Sequence, residues 1–263
     1  MTGDGTDLSD ELALALQLAD AADAITLPAF ERRAFSVDLK PDRSEVTEVD
    51  RRTERAIVDQ LLKVRPDHGV FGEETGRSGP DGEWCWVIDP IDGTSGFTRG
   101  IPVWGTLIAL VHVDRGPVVG VVSAPALGRR WWGSADHGAF VDGRPCRVST
   151  IGSIADAQVS VTINHGWARL GLAGALTALS ADARRGRGFG DFWQHVLVAE
   201  GALDVAVDAV GVAHYDLAAP MVVVEEAGGT FTDRLGNRTH AADTAISSNG
   251  LLHADVIARL AST

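Results

Sequence analysis

The chain has 263 residues, 45% of them hydrophobic, enough apolar material for one elaborate domain or two subdomains around a substantial core. Its 23 basic and 36 acidic residues leave a net charge of -13, so it repels nucleic acid and anionic membrane surfaces on average. No stretch of about 18 consecutive apolar residues marks a membrane span, residues 1–10 lack a signal-peptide pattern, and Cys85 and Cys146 fit neither a disulfide framework nor a zinc spacing, as expected in a reducing cytoplasm.

Leu8, Leu12, Leu16, Ala19, Ala22 and Ile25 recur at three- and four-residue steps, predicting an amphipathic helix over residues 8–30 that Pro28 bends or ends. The polar bend Lys40-Pro41-Asp42-Arg43-Ser44 leads to a second helix over 48–64, with Val49, Thr53, Ile57, Gln60 or Leu61, and Val64 on one face and Pro66 as the stop. Residues 69–72 and 84–88 read as short buried strands. Residues 106–113 and 117–124 form a hairpin around Asp114-Arg115-Gly116, and 130–134 and 139–141 continue the meander into an Asp142-Gly143 turn. Beyond about residue 150, strand-like segments (158–162, 204–207, 229–232, 245–247) alternate with helix-like ones (172–180, 192–200, 217–227, 254–260). This order of helices, meander and mixed elements predicts an α+β fold of layered sheets covered by helices. No Pro/Gly/Ser linker divides residues 1–150 from 151–263, so the two halves read as one functional unit.

The most informative stretch is Trp86-Val87-Ile88-Asp89-Pro90-Ile91-Asp92-Gly93-Thr94. An apolar strand delivers Asp89 at its carboxyl end, and Pro90, having no N–H, is expected to stop the ladder. A turn then brings Asp92 to the same locus. Gly93 allows a backbone conformation and a close ligand approach that other residues oppose, and Thr94 sits where a helix could begin and favour a phosphate. Two carboxylates and the Ile91 carbonyl are hard oxygen ligands of the kind magnesium takes. A capped turn would explain the same residues more simply. Three other acids have equally plain readings alone: Glu73 as a solvated surface acid, Asp216 as a helix N-cap, and Asp50 as an exposed first-turn acid.

Together, Gly72-Glu73-Glu74, Asp89-Pro90-Ile91-Asp92-Gly93-Thr94 and Tyr215-Asp216-Leu217-Ala218-Ala219, followed by Glu226-Ala227-Gly228-Gly229, resemble the inositol monophosphatase family over nearly the whole chain. Within it, Arg129-Arg130-Trp131-Trp132, Gly166-Trp167-Ala168-Arg169, Gly190-Asp191-Phe192 and Leu197-Val198-Ala199-Glu200-Gly201-Ala202 are most similar to the histidinol-phosphatase branch of actinobacterial type. The resemblance implies an αβαβα sandwich of alternating helix and sheet layers, a homodimer, and hydrolysis of a small phosphate ester with two or three Mg2+ ions per site. It implies that Glu73, Asp89, Asp92, Asp216 and the Ile91 carbonyl hold the metals, and that Thr94, hydrogen-bonded to Asp50, orients and helps activate a water. It also implies that the backbone at Gly93 and Thr94 holds the phosphate. Ser95-Gly96 and Tyr215 depart from the family pattern in loop packing and in the aromatic residue before the last ligand; no implied ligand is missing.

Histidinol phosphate carries an ammonium and an imidazole, so its pocket should offer carboxylates beyond the metal ligands. Asp191, with its neighbour Gly190, and Asp208 are the candidates, while Trp193, His195 and Trp167 read as packing aromatics. An inositol or other cyclitol or sugar phosphate is the alternative substrate class, and a binder that retains metal and phosphate without turnover is the alternative of another kind. Glycoside hydrolysis by Asp89 and Asp92 would leave Gly93-Thr94 unexplained. A structural calcium site would show as calcium-dependent stability without activity.

Overall fold

The apolar stripe near the N-terminus forms α1 (Ser9–Arg32), burying Leu14, Ala15, Leu18, Ala19 and Ala22 on one face. This is seen in a computed structural model that describes residues 7–41 and 43–261; residues 1–6 of the acidic N-terminal stretch and Asp42 of the predicted bend lie outside the described residues. Pro28 does not end α1, which runs on to Arg32 before Arg33 turns left-handed at φ 49° and closes its N–H on the Phe30 carbonyl. By length and composition α1 matches a membrane span. It nevertheless packs its apolar face on the next helix and the first large sheet, and it carries Asp10, Glu11, Asp20 and Asp23, which makes it a core helix.

A short antiparallel hairpin, β1 (Val37–Leu39) and β2 (Glu45–Thr47), was not legible in the sequence; it leads directly into α2 (Glu48–Val64). Thr47 caps α2: its hydroxyl accepts from the N–H groups of Val49 and Asp50, while its own N–H donates to Asp50 Oδ2 at 2.9 Å, a capping box.

The meander extends into an eight-stranded sheet. In chain order its strands are β3 (Gly69–Gly72), β4 (Gly76–Ser78), β5 (Trp84–Asp92), β6 (Gly105–His112), β7 (Gly116–Ala124), β8 (Arg129–Ser134), β9 (Gly138–Val141) and β10 (Arg144–Pro145), with α3 (Thr94–Arg99) between β5 and β6. Asp142 and Gly143, both at positive φ, make the tight turn between β9 and β10. The spatial order is β10-β9-β8-β7-β6-β5-β3-β4, antiparallel throughout except for the parallel pair β3 and β5. Pro90 does not terminate β5 as expected. The ladder to β6 skips Pro90 and Ile91 and resumes at Asp92 opposite Gly105, so the missing N–H yields a bulge rather than an end. The freed Pro90 carbonyl accepts from Thr106 Oγ at 2.8 Å.

The remaining chain supplies β11 (Gln158–Val161), α4 (His165–Arg169), α5 (Ala173–Asp182), β12 (Arg185–Arg187), α6 (Asp191–Ala199), β13 (Val205–Val207), α7 (His214–Glu226), β14 (Thr230–Thr232), β15 (Ile246–Ser248) and α8 (His253–Ala261). Its five strands form a second sheet ordered β12-β11-β13-β15-β14. The layers follow from what each face buries. Trp86, Ile88, Ile108 and Val121 pack under α1 and α2, whereas Val87, Leu107, Ala109 and Val122 face α6 and α7. The second sheet meets α6 and α7 on one side and packs Val159, Val205 and Ile246 under α5 and α8 on the other. The result is helix, sheet, helix, sheet, helix: the expected αβαβα sandwich.

Candidate active site

Parallel strands end at the same edge of a sheet, so β3 and β5 deliver their acids to one place. Glu73 follows β3 and extends the pairing by donating its N–H to the Ile88 carbonyl at 3.1 Å. Asp89 shares its strand face with Val87, which turns it toward α7. The bulge at Pro90 brings Asp92 around to the same locus, and an Asx turn from the Ile91 N–H to Asp89 Oδ1 (2.9 Å) holds it there. The first turn of α7 adds Asp216 from the other half of the chain. Carboxylate oxygens of Asp89, Asp92 and Asp216 all lie within 4.8 Å of one another.

Such crowding has an electrostatic signature. Burial, then the charges of Glu73, Asp92 and Asp216, hold Asp89 well above the usual carboxylate range. Burial and the charges of Asp191 and Asp216 do the same to Asp92. Burial, against a hydrogen bond from the Ala213 N–H, pushes Asp216 up to about 7. Like charges gathered away from water are costly unless a cation joins them. The Lys40 ammonium partly answers that need, lying 2.7 Å from Glu73 Oε1 and 2.6 Å from Glu74 Oε1. Burial opposes its charge, but the bonds to the two glutamates outweigh that and raise its pKa. Hard, buried, mutually repelling oxygen donors fit a divalent metal.

Asp216 is not the N-cap its position suggested. It is the third residue of α7, and its carboxylate reaches back to the Ala213 N–H at 2.7 Å. Nor is Asp50 an exposed acid; it is fully buried, with Oδ2 on the Thr47 N–H and Oδ1 3.2 Å from Thr94 Oγ. Burial raises its pKa, with the Thr47 bonds acting against the shift. The Thr94 hydroxyl also lies 2.8 Å from the Ile91 carbonyl, so one proton serves two acceptors. Gly93, between the two motifs, sits at φ 84°, and a Cβ there would lie 3.1 Å from the Val103 carbonyl oxygen.

A cavity of about 370 Å³ opens beside these groups, bounded by Glu73, Gly93, Thr94, Ser95, Arg99 and Asp191. Asp191 begins α6 at φ 49°, a left-handed conformation uncommon outside glycine, directly after Gly190 at φ 75°. Asp191 is exposed as a residue, yet neighbouring protein takes part of the water from its carboxyl. That desolvation and the Asp208 charge push it up to about 6. The next N–H, of Phe192, donates to Asp92 Oδ2 at 2.7 Å, tying α6 to the acid cluster. Asp208 lies deeper, nearly buried, and is not among the residues bounding the cavity.

One supporting acid escaped the sequence reading. Glu54 is fully buried on α2, and its carboxylate accepts from the Glu74 N–H (2.8 Å), the Thr75 N–H (2.7 Å) and the Thr75 hydroxyl (2.6 Å). It clamps the loop that aims Glu73. The available signal was its spacing, four residues after Asp50 on the stripe that holds Ile57 and Leu61.

The sequence matches the inositol monophosphatase family over residues 7–263. It is 46% identical over 256 residues to a histidinol-phosphatase of Mycobacterium tuberculosis, covering 95% of this chain and 98% of that one. It is 42% identical over 262 residues to a histidinol-phosphatase of Streptomyces coelicolor, covering 97% and 98%. Among solved structures, the Thermotoga maritima IMPase superposes with a TM-score of 0.85 at 30% identity, covering 96% of this chain and 97% of that one. The extragenic suppressor protein suhB of Bartonella henselae gives a TM-score of 0.89 at 27% identity, covering 97% and 99%. Fold, acid cluster and relatives together define a metal-dependent phosphoric monoester hydrolase. The chain belongs to the inositol monophosphatase family.

Proposed function

We propose that this enzyme hydrolyses histidinol phosphate to histidinol and inorganic phosphate, a step of histidine biosynthesis, using two or three magnesium ions in a reducing cytoplasm. Two free thiols, Cys85 and Cys146, agree with that compartment. The carboxylates of Glu73, Asp89, Asp92 and Asp216 and the Ile91 carbonyl would hold the metal. Bound magnesium supplies Lewis acidity that eases deprotonation of water and shields the departing alkoxide. The chain's own groups do the rest. Asp50, its basicity raised by burial, accepts from the Thr94 hydroxyl and turns the Thr94 oxygen into an acceptor that orients the attacking water. Glu73, beside the cavity, is a second base on that side. The Gly93 and Thr94 backbone, at the first turn of α3, holds the phosphate. By family resemblance we also propose a homodimer.

The observation that carries the substrate assignment is Asp191: a carboxylate on the cavity wall, outside the proposed ligand set, held in a costly backbone conformation. A cationic alcohol uses such a group, whereas a neutral cyclitol has no need of its charge. Names of the two relatives above support the same choice. The test is phosphate release from histidinol phosphate and from inositol 1-phosphate, each with magnesium and with EDTA. Release that needs magnesium and is much faster from histidinol phosphate is expected. Preference for the inositol ester would move the enzyme to the cyclitol class, and activity untouched by EDTA would sink the metal mechanism.

A further inference from the structure

His195, taken from sequence as a packing aromatic, is fully buried on α6 yet hydrogen-bonded at both ring nitrogens. Nε2 lies 3.0 Å from Asp208 Oδ2 and Nδ1 lies 2.9 Å from Ser247 Oγ. An ionised carboxylate only accepts, so Nε2 carries the proton, and in the neutral ring the Ser247 hydroxyl donates to Nδ1. Ser247 is itself immobile: it is fully buried on β15, with β13 on one side and β14 on the other.

The relay ends on a carboxylate that is fixed at every polar atom. Asp208 Oδ1 accepts from the Ala209 N–H at 2.7 Å, its own N–H donates to the Ala245 carbonyl at 2.9 Å, and its carbonyl accepts from Trp167 Nε1 at 2.8 Å. His195 also stands one helical turn after Asp191, so the two share a face of α6. That turn connects the cavity wall to the buried acid.

We propose that His195 is a positioning residue for substrate selection: it locks the buried Asp208 in place, so that the cationic end of the leaving alcohol meets Asp191 on the cavity wall backed by a second, fixed negative charge. This inference rests on the proposed cationic substrate. The Asp208 charge already reaches Asp191, whose carboxyl it helps to raise. A neutral cyclitol can donate a hydroxyl to Asp191 but gains no ion pair from the charge held behind it. A purely space-filling histidine would support every substrate equally.

The experiment measures kcat and KM for histidinol phosphate and inositol 1-phosphate at saturating magnesium in wild type, His195→Phe, His195→Gln and Ser247→Ala. Wild type comes first, because a wild type without preference for histidinol phosphate refutes the substrate reading and not the relay. Given that preference, His195→Phe should raise KM for histidinol phosphate about tenfold, the value of one hydrogen bond to a charged group, and lower the ratio of kcat/KM between the two esters accordingly. His195→Gln, whose amide N–H occupies the place of Nε2–H, should recover most of that ratio. Equal losses on both esters, or an unchanged ratio, would overturn the positioning role. Should His195→Phe not fold, Ser247→Ala decides: a fall in the ratio of about threefold supports the relay, and an unchanged ratio refutes it.

Discussion

Replacing Asp216 by asparagine should abolish activity and, in the absence of metal, make the protein more stable. A carboxyl held at about 7 against an ordinary 3.8 is one whose ionisation above pH 7 costs about 4 kcal/mol more in the folded than in the unfolded state. Asp216 repels the same neighbours that repel it, and solvent reaches part of it, so roughly half, about 2 kcal/mol, belongs to removing its charge alone. Asparagine keeps an oxygen for the Ala213 N–H. The helix-dipole contribution lost with the charge, about 0.5 kcal/mol, is smaller. For a chain of this size the gain corresponds to about 4–8 °C in Tm. The sign in pH follows. Between about pH 4 and 7 the folded metal-free protein holds a proton on Asp216 that the unfolded chain has released, so wild-type stability falls as pH rises through that window. Thermal unfolding of both proteins in EDTA should therefore show Asp216→Asn ahead at pH 8, the gap narrowing toward pH 4.5. Saturating magnesium should reverse the order, because the variant has lost a ligand. A variant that melts below wild type in EDTA at pH 8 would refute the claim that the cluster is electrostatically strained.

Three further outcomes can be checked. Thr94→Ala should lower kcat about 100-fold or more with little change in KM, and Thr94→Ser should recover much of it in steady-state assays, because the hydroxyl bound to Asp50 is what matters. Glu54→Gln should raise the magnesium concentration needed for half-maximal activity, and Glu54→Ala, which leaves two loop N–H groups without their acceptor, should cost about 3 kcal/mol in urea unfolding. Gly93→Ala, forced to φ 84° against the Val103 carbonyl, should cost about 1–2 kcal/mol and lose phosphate affinity, measured as competitive inhibition by inorganic phosphate.

What the sequence disclosed and what it hid divide along physical lines. Periodicity placed α2 because the polar bend at residues 40–44 and Pro66 bracket an apolar stripe, and it placed the β6 and β7 hairpin because Asp114-Arg115-Gly116 interrupts two apolar runs. The β1 and β2 hairpin escaped because strands of three residues are too short to show a period. Pro90 misled because a missing N–H can yield a bulge as readily as a terminus, and only the facing strand decides. The acids of the site were legible as a motif, but their burial was not. Asp50 and Glu54 look like surface helix acids until Thr94 closes on the first and the loop after Glu73 on the second. His195 was least visible, since its partners Asp208 and Ser247 lie 13 and 52 residues away along the chain.

The bulge at Pro90 and the turn into α3 keep the proposed bond-breaking groups within the first hundred residues, save for Asp216, whereas the carboxylates proposed for the alcohol come from α6 and the loop after β13. The proposed chemistry and the proposed selectivity thus come from different stretches of the chain, which meet at a seam where α6 is tied to Asp92. Lineages that exchange residues on the far side of that seam can change which ester is accepted while leaving the hydrolytic apparatus untouched. One scaffold can in this way be recruited to new metabolic duties without reinventing its reaction.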